Sequence, residues 1–180
     1  CPVGAIKLVE KNVDMTTEED KPKTDALSEI KKAMSHGGCP GSMMRQFDKK
    51  DDPAEPAGEI PSALSQWPVQ LHLLSPQAPF FNDSDLLLAA DCCAFAMGGF
   101  HGDLLKGKSL AIACPKLDDT SPYLEKLIAI LKLNNVKSLT VAIMEVPCCR
   151  GLEMLARQAV SQCGKEIALH VVTVSLDGKK

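Results

Sequence analysis

Short apolar runs recur through the second half of this chain and alternate with longer stretches of helical period. Leu86–Ala90, Leu110–Ala113, Leu139–Met144 and Ile167–Leu176 are rich in Leu, Ile, Val and Ala. Polar or Gly residues bound them, so each predicts a buried strand. Val69–Leu74 predicts a further strand ahead of them. A short helix is expected after Cys92-Cys93, in the segment that holds Gly98-Gly99. The next helix has Ser121 as its cap, Pro122 at its first position and Leu124, Leu127, Ile128 and Leu131 on one face. Asn134-Asn135 end it. Gly151–Cys163 reads as another, with Leu152, Leu155, Ala156, Ala159, Val160 and Cys163 on one face and Gly164 as the stop. Strands alternating with helices of this length imply right-handed crossovers, hence an α/β fold: a three-layer parallel sheet of about four to five strands with flanking helices.

The first third is built differently. Residues 1–23 carry charges without an apolar period from Glu10 onward and read as a flexible linker behind a short remnant. Within residues 24–60, Ala26, Leu27, Ile30, Ala33 and Met34 recur at helical spacing, with Thr24 as cap and Gly37-Gly38 as stop. That helix delivers the chain to Cys39, in a Gly-Gly-Cys-Pro-Gly loop. Asp48–Glu59, with Pro53 and Pro56, reads as a mobile polar loop. Residues 61–180 form the α/β domain.

Composition narrows the function. Hydrophobic residues make up 45% and aromatics 4% of the 180 residues, so the core must be aliphatic. A net charge of −3 leaves no basic stripe to neutralise phosphates, which argues against a nucleic-acid surface. No apolar stretch approaches the ~20 residues that span a bilayer, and no secretory pattern is present. A cytoplasmic protein is expected. Its eight cysteines then need a reason, because disulfides are rare in reducing compartments. Metal or cluster ligation ranks ahead of ordinary buried thiols, with structural disulfides last.

The cysteines fall where chemistry collects. Cys92, Cys114 and Cys148 each lie just past a predicted strand. In an open parallel sheet the carboxyl ends share one edge, and ligands bind in the crevice there. These three are therefore predicted to converge, with the Cys39 loop closing over the same edge. Cys92-Cys93 and Cys148-Cys149 are adjacent pairs, and neighbours in an extended segment point opposite ways. One of each pair faces the shared centre and the other packs as a small hydrophobe. The candidate metal ligands are Cys39, Cys92, Cys114 and Cys148, with Cys93 and Cys149 as the alternative members of their pairs.

Other residues take structural readings. Cys148-Cys149 precede a helix whose N-terminal dipole favours a thiolate. Asp118, Asp119 and Thr120 are turn and cap residues. Cys163 is core, and His72 and His170 are structural residues inside strands. His101 is the one histidine besides His36 placed to reach the site, and Trp67 anchors its loop to the sheet. No nucleophile–base arrangement, phosphate-binding glycine motif or C-x-x-C spacing occurs. An electron-transfer protein is favoured over an independent enzyme.

Together, Gly-Gly-Cys-Pro-Gly-Ser, Ser65–Leu71, Asp91-Cys92, Cys114-Pro115-Lys116-Leu117-Asp118-Asp119 and Val146-Pro147-Cys148-Cys149 resemble a family of iron–sulfur proteins from anaerobic bacteria and archaea. Its members pair a ferredoxin module with a Cys-bearing α/β domain. Cys1-Pro2-Val3-Gly4-Ala5-Ile6 is similar to the tail of a bacterial ferredoxin motif, whose last Cys is followed by Pro. The chain is thus expected to lie downstream of such a module, with Cys1 its remnant. The resemblance implies a 4Fe–4S cluster and electron transfer with a redox partner protein. The alternatives are tetrahedral zinc in the same thiolates, or a thiol-based interaction module without metal.

Overall fold

Strands β1 (Asp85–Ala90), β2 (Lys108–Ala113), β3 (Ser138–Met144) and β4 (Ala168–Val174) pair in parallel in the order β2-β1-β3-β4. The computed structural model in which they are seen describes Gly58 and residues 61–180. The central strands explain their own composition. Leu86–Ala90 of β1 and Leu139–Met144 of β3 are buried throughout, because both sheet faces are covered there. The edge strand β4 mixes exposed and half-buried positions instead.

Helices α1 (Cys93–Ala96), α2 (Tyr123–Leu133) and α3 (Arg150–Gln162) connect the strands, together with a π-helical turn at Phe100–Leu105. The β2-to-β3 and β3-to-β4 connections run the same way across the sheet. Right-handed crossovers then place α2 and α3 on one face, where they pack on each other. The β1-to-β2 connection runs back, so α1 and the π-helical turn cover the opposite face. Three layers and a parallel sheet result, as the sequence pattern implies. No helix among the described residues is long and apolar enough to cross a membrane.

Several local expectations are corrected. Val69–Leu74 is not a strand: Gln70 alone bridges to Ile112, and Leu71–Leu73 wind into a 3-10 turn. Leu71 and Leu74 are buried while His72 and Leu73 are exposed, a period of three where a strand needs two. His72 therefore sits in a turn, its ring centroid 4.6 Å from that of Tyr123, and His170 is exposed on β4. Trp67 is 77% exposed, so it does not anchor its loop by burial in the described core. Gln66 does that work: its Nε2 donates to the Leu110 carbonyl (2.9 Å) and its Oε1 accepts from the Leu110 N–H (3.1 Å). A side-chain amide so occupies the outer edge of β2, which an added strand would otherwise take.

Ser121 does not cap α2. Its N–H and hydroxyl both donate to Asp119 Oδ1 (3.1 and 2.6 Å), so the helix begins after Pro122, at Tyr123. Helix α1 stops at Ala96, before Gly98-Gly99. Helix α3 starts at Arg150 and ends at Gln162, one residue earlier at each end than the apolar period indicates. The linker, the Thr24 helix, the Cys39 loop with His36 and all of the polar loop but Gly58 lie outside the described residues.

Beyond β4 the chain turns at Gly178 (φ 88°) and meets α1. A Cβ on Gly178 would stand 2.5 Å from the Ala96 carbonyl oxygen, and Lys180 Nζ reaches Asp103 Oδ2 at 3.2 Å. Gly178→Ala is expected to cost about 1–2 kcal/mol, from the left-handed backbone and the clash together. Detachment of the tail caps the loss. Lys180→Ala, which removes only an exposed ion pair, should cost under about 0.5 kcal/mol. Urea unfolding of both variants checks the pair.

Candidate functional site

The strand register sets the site. Ala90 of β1 is level with Ala113 of β2, and Ala89 with Ala142 of β3. Cys92 and Cys114 therefore leave neighbouring strands at nearly the same height. Cys148 follows β3 through a 3-10 turn at Pro147–Cys149. Because the chain reverses direction after β2, the loops after β1 and β3 diverge to opposite faces. The crevice between them is the ligand position of an open parallel sheet, and Cys92 and Cys148 flank it.

A close approach joins two of these loops. A Cβ on Gly151, in the first turn of α3, would stand 3.3 Å from Pro115 Cβ. The absence of a side chain at Gly151 lets the Cys114-Pro115 loop lie against the start of α3, over the end of β1. The six cysteines among the described residues are all free thiols.

The adjacent pairs divide by burial. Cys92 is exposed and Cys148 half-buried, whereas Cys93 and Cys149 are buried; Cys114 is half-buried. The expected opposition of neighbours holds, but not for the expected reason. Cys92 (φ −73°, ψ −19°) and Cys149 (φ −81°, ψ −15°) have helical backbone, so about 100° of helical rotation separates each pair rather than a strand pleat. Cys163 is core, as its place on the apolar face of α3 implies.

Charge is costly at this edge. Burial first, then the charges of Cys114, Asp91 and Cys148, raise the Cys92 thiol above its ordinary pKa. Burial and then Cys149 push Cys93 up to about 12. Cys149 rises to about 11, through burial and then Cys148. Thiols that discourage one another's ionisation become thiolates when a cation neutralises them. Among the described residues, no three His, Cys, Asp or Glu side chains stand close enough to hold one metal ion. A single tetrahedral zinc draws its sulfurs to about 3.8 Å of each other, given Zn–S bonds of about 2.3 Å. A four-iron cluster spreads its ligands over a wider footprint.

Asp118 has a role that turn propensity does not reveal. Its Oδ2 accepts from the Cys114 N–H (2.8 Å), from Gln70 Nε2 (3.3 Å) and from the Tyr123 hydroxyl. The Asp118 N–H returns a bond to the Cys114 carbonyl (3.0 Å), which closes the loop Cys114–Asp118. Burial opposes ionisation of Asp118, but the Tyr123, Cys114 and Gln70 hydrogen bonds outweigh it and hold the carboxyl below its ordinary range. Burial and then Asp118 raise the Tyr123 phenol. The lone tyrosine of the chain, on a helix whose other apolar positions are aliphatic, is the one sequence signal of this buttress.

His101 does not join the cysteines among the contacts described. It lies on the π-helical turn, where Nδ1 accepts from the Ala63 N–H (3.1 Å). Cys39 lies outside the described residues.

A family model described as a Rossmann-like domain matches residues 78–180, more than half of the chain. The chain belongs to the Rossmann-like domain family. An uncharacterized protein of Archaeoglobus fulgidus is 31% identical over 115 residues, which cover 64% of this chain and 81% of that protein. No solved structure matches. The Rossmann-like fold does not carry a dinucleotide by itself. In dinucleotide-binding members the first strand–helix turn is glycine-rich so that pyrophosphate can approach the backbone. Here that turn reads Asp91-Cys92-Cys93-Ala94-Phe95, with thiols and an aromatic ring in place of glycines.

Proposed function

We propose that the carboxyl edge of this Rossmann-like domain holds a 4Fe–4S cluster in Cys39, Cys92, Cys114 and Cys148 and exchanges electrons with a redox partner protein. One observation supports the reading above others: a cysteine that is not fully buried follows each of three neighbouring strands, and two of these strands flank the crevice where the chain reverses direction. The resemblance to ferredoxin-linked iron–sulfur proteins of anaerobes supports it, and with it a cytoplasmic setting. A bound cluster supplies one-electron transfer.

The residues around it have definable tasks. Cys92, Cys114 and Cys148 present thiolates from three loops, and Cys39 completes the set. The Asp118 hydrogen bonds fix the Cys114 loop before any ligand arrives, which lowers the ordering cost of binding. Cys93 and Cys149 stay neutral beneath and keep the floor of the site apolar. Exposed Lys116, two residues beyond Cys114, offsets part of the negative charge of four thiolates.

Iron, sulfide and zinc content with the visible spectrum, on protein reconstituted without oxygen, tests the proposal. About four irons and four sulfides per chain with broad visible absorption are expected. Cys114→Ser should abolish the colour and most of the iron, and Cys163→Ser should leave both. Stoichiometric zinc without colour would replace the cluster by a tetrahedral zinc. No metal under any condition would leave a thiol-based interaction module.

A further inference from the structure

A cleft of about 200 Å³ opens beside the cysteines, on the sheet face that carries α1 and the π-helical turn. That is the volume of roughly seven liquid waters, enough for a one-ring molecule. Val69, Phe100, Leu105 and Ile112 give it apolar walls, and among the described residues Asp91 and His101 bring its only ionisable side chains. The two polar groups differ in state. His101 Nδ1 is committed to the Ala63 N–H. Asp91 Oδ1 is shut off from solvent and has no hydrogen-bond partner among the described residues.

A buried carboxylate oxygen without a hydrogen bond costs about 1–3 kcal/mol or more, and such a group calls for an explanation. Asp91 is half-buried and lines the cleft, so the residue meets that space although Oδ1 itself does not. Asp118 adds a second carboxylate nearby. The complement to these features is a cation with an apolar body, since charge-assisted hydrogen bonds to a carboxylate are the strongest available.

We propose that this cleft binds a small primary amine, its ammonium donating to Asp91 and its apolar body lying against Phe100, Leu105 and Ile112. The site stands apart from the metal reading, because none of the cleft walls is a cysteine. It places an amine-bearing ligand beside Cys92, whatever the thiols hold.

Benzylamine, benzyl alcohol and benzoate are the probes, titrated into the whole chain and followed by NMR of the alanine, leucine and isoleucine methyls. Benzylamine should shift Ala89, Ala94, Leu105 and Ile112 saturably. Benzyl alcohol, of the same shape without the charge, should bind about tenfold or more weakly, a difference of about 1.4 kcal/mol or more, and benzoate not at all. Asp91→Asn should reduce benzylamine affinity by a similar factor and leave benzyl alcohol unchanged. Absence of saturable shifts with benzylamine would overturn the proposal. So would equal affinity for amine and alcohol, a comparison that needs no variant. Repeating the titration on metal-free and reconstituted protein separates this outcome from the fate of the cluster.

Discussion

Asp118→Ala should lower the unfolding free energy by about 3 kcal/mol and free the Cys114 loop. The substitution leaves the Tyr123 hydroxyl, on a fully buried residue, with only the 3.5 Å contact to Gln70 Oε1, and strands the Cys114 N–H, each at about 1–3 kcal/mol for a buried group left poorly satisfied. Tyr123→Phe removes one bond and keeps the ring, so about 1–2 kcal/mol is expected. Asp118→Asn retains an acceptor oxygen and should fall between the wild type and Asp118→Ala. The same order should appear in the rate at which a thiol reagent labels Cys114, which reads the loop directly. Because hydrogen bonds depress the folded pKa of Asp118, its contribution is complete above the ordinary aspartate value of about 3.9. It is lost as pH falls through the lower folded value. Asp118→Asn should lack that part of the acid transition, and urea midpoints measured down the acid range would show it.

Leu88→Ala should cost about 3–4 kcal/mol, the range for emptying a fully buried leucine site. Leu88 is 0% exposed in the middle of β1, level with Ala111 on one side and Val141 on the other. Its hydrogen-bonded neighbours on both strands hold the backbone in place, so the cavity collapses little. Phe95→Ala, at a ring 93% exposed beside the cysteines, should change stability by less than about 0.5 kcal/mol. Urea midpoints at unchanged slope measure both. If the proposed cluster forms, Leu88→Ala should still bind it below the unfolding transition. That result would separate a weakened scaffold from a damaged site.

The sequence by itself determined the strands β1 to β4, the two long helices and the parallel class of the sheet. Apolar runs such as Leu86–Ala90 have no other stable use than burial on both faces, and the Leu127, Leu131 face of α2 has a single period. It also placed Cys92, Cys114 and Cys148 at strand ends, since a cysteine just past a run must emerge at the carboxyl edge. Only the tertiary structure decided the order β2-β1-β3-β4, which puts Cys92 and Cys148 across the crevice where the connections diverge. Strand order is set by long-range pairing, and nothing local encodes it. The same holds for the bond from Gln70 to Asp118, for the contact that Gly151 allows Pro115, and for the Gln66 amide along β2. Each joins residues far apart in space until the sheet forms. The orphaned oxygen of Asp91 belongs there too: its lack of a partner is a property of the packed wall around it, and a chain read residue by residue contains no wall.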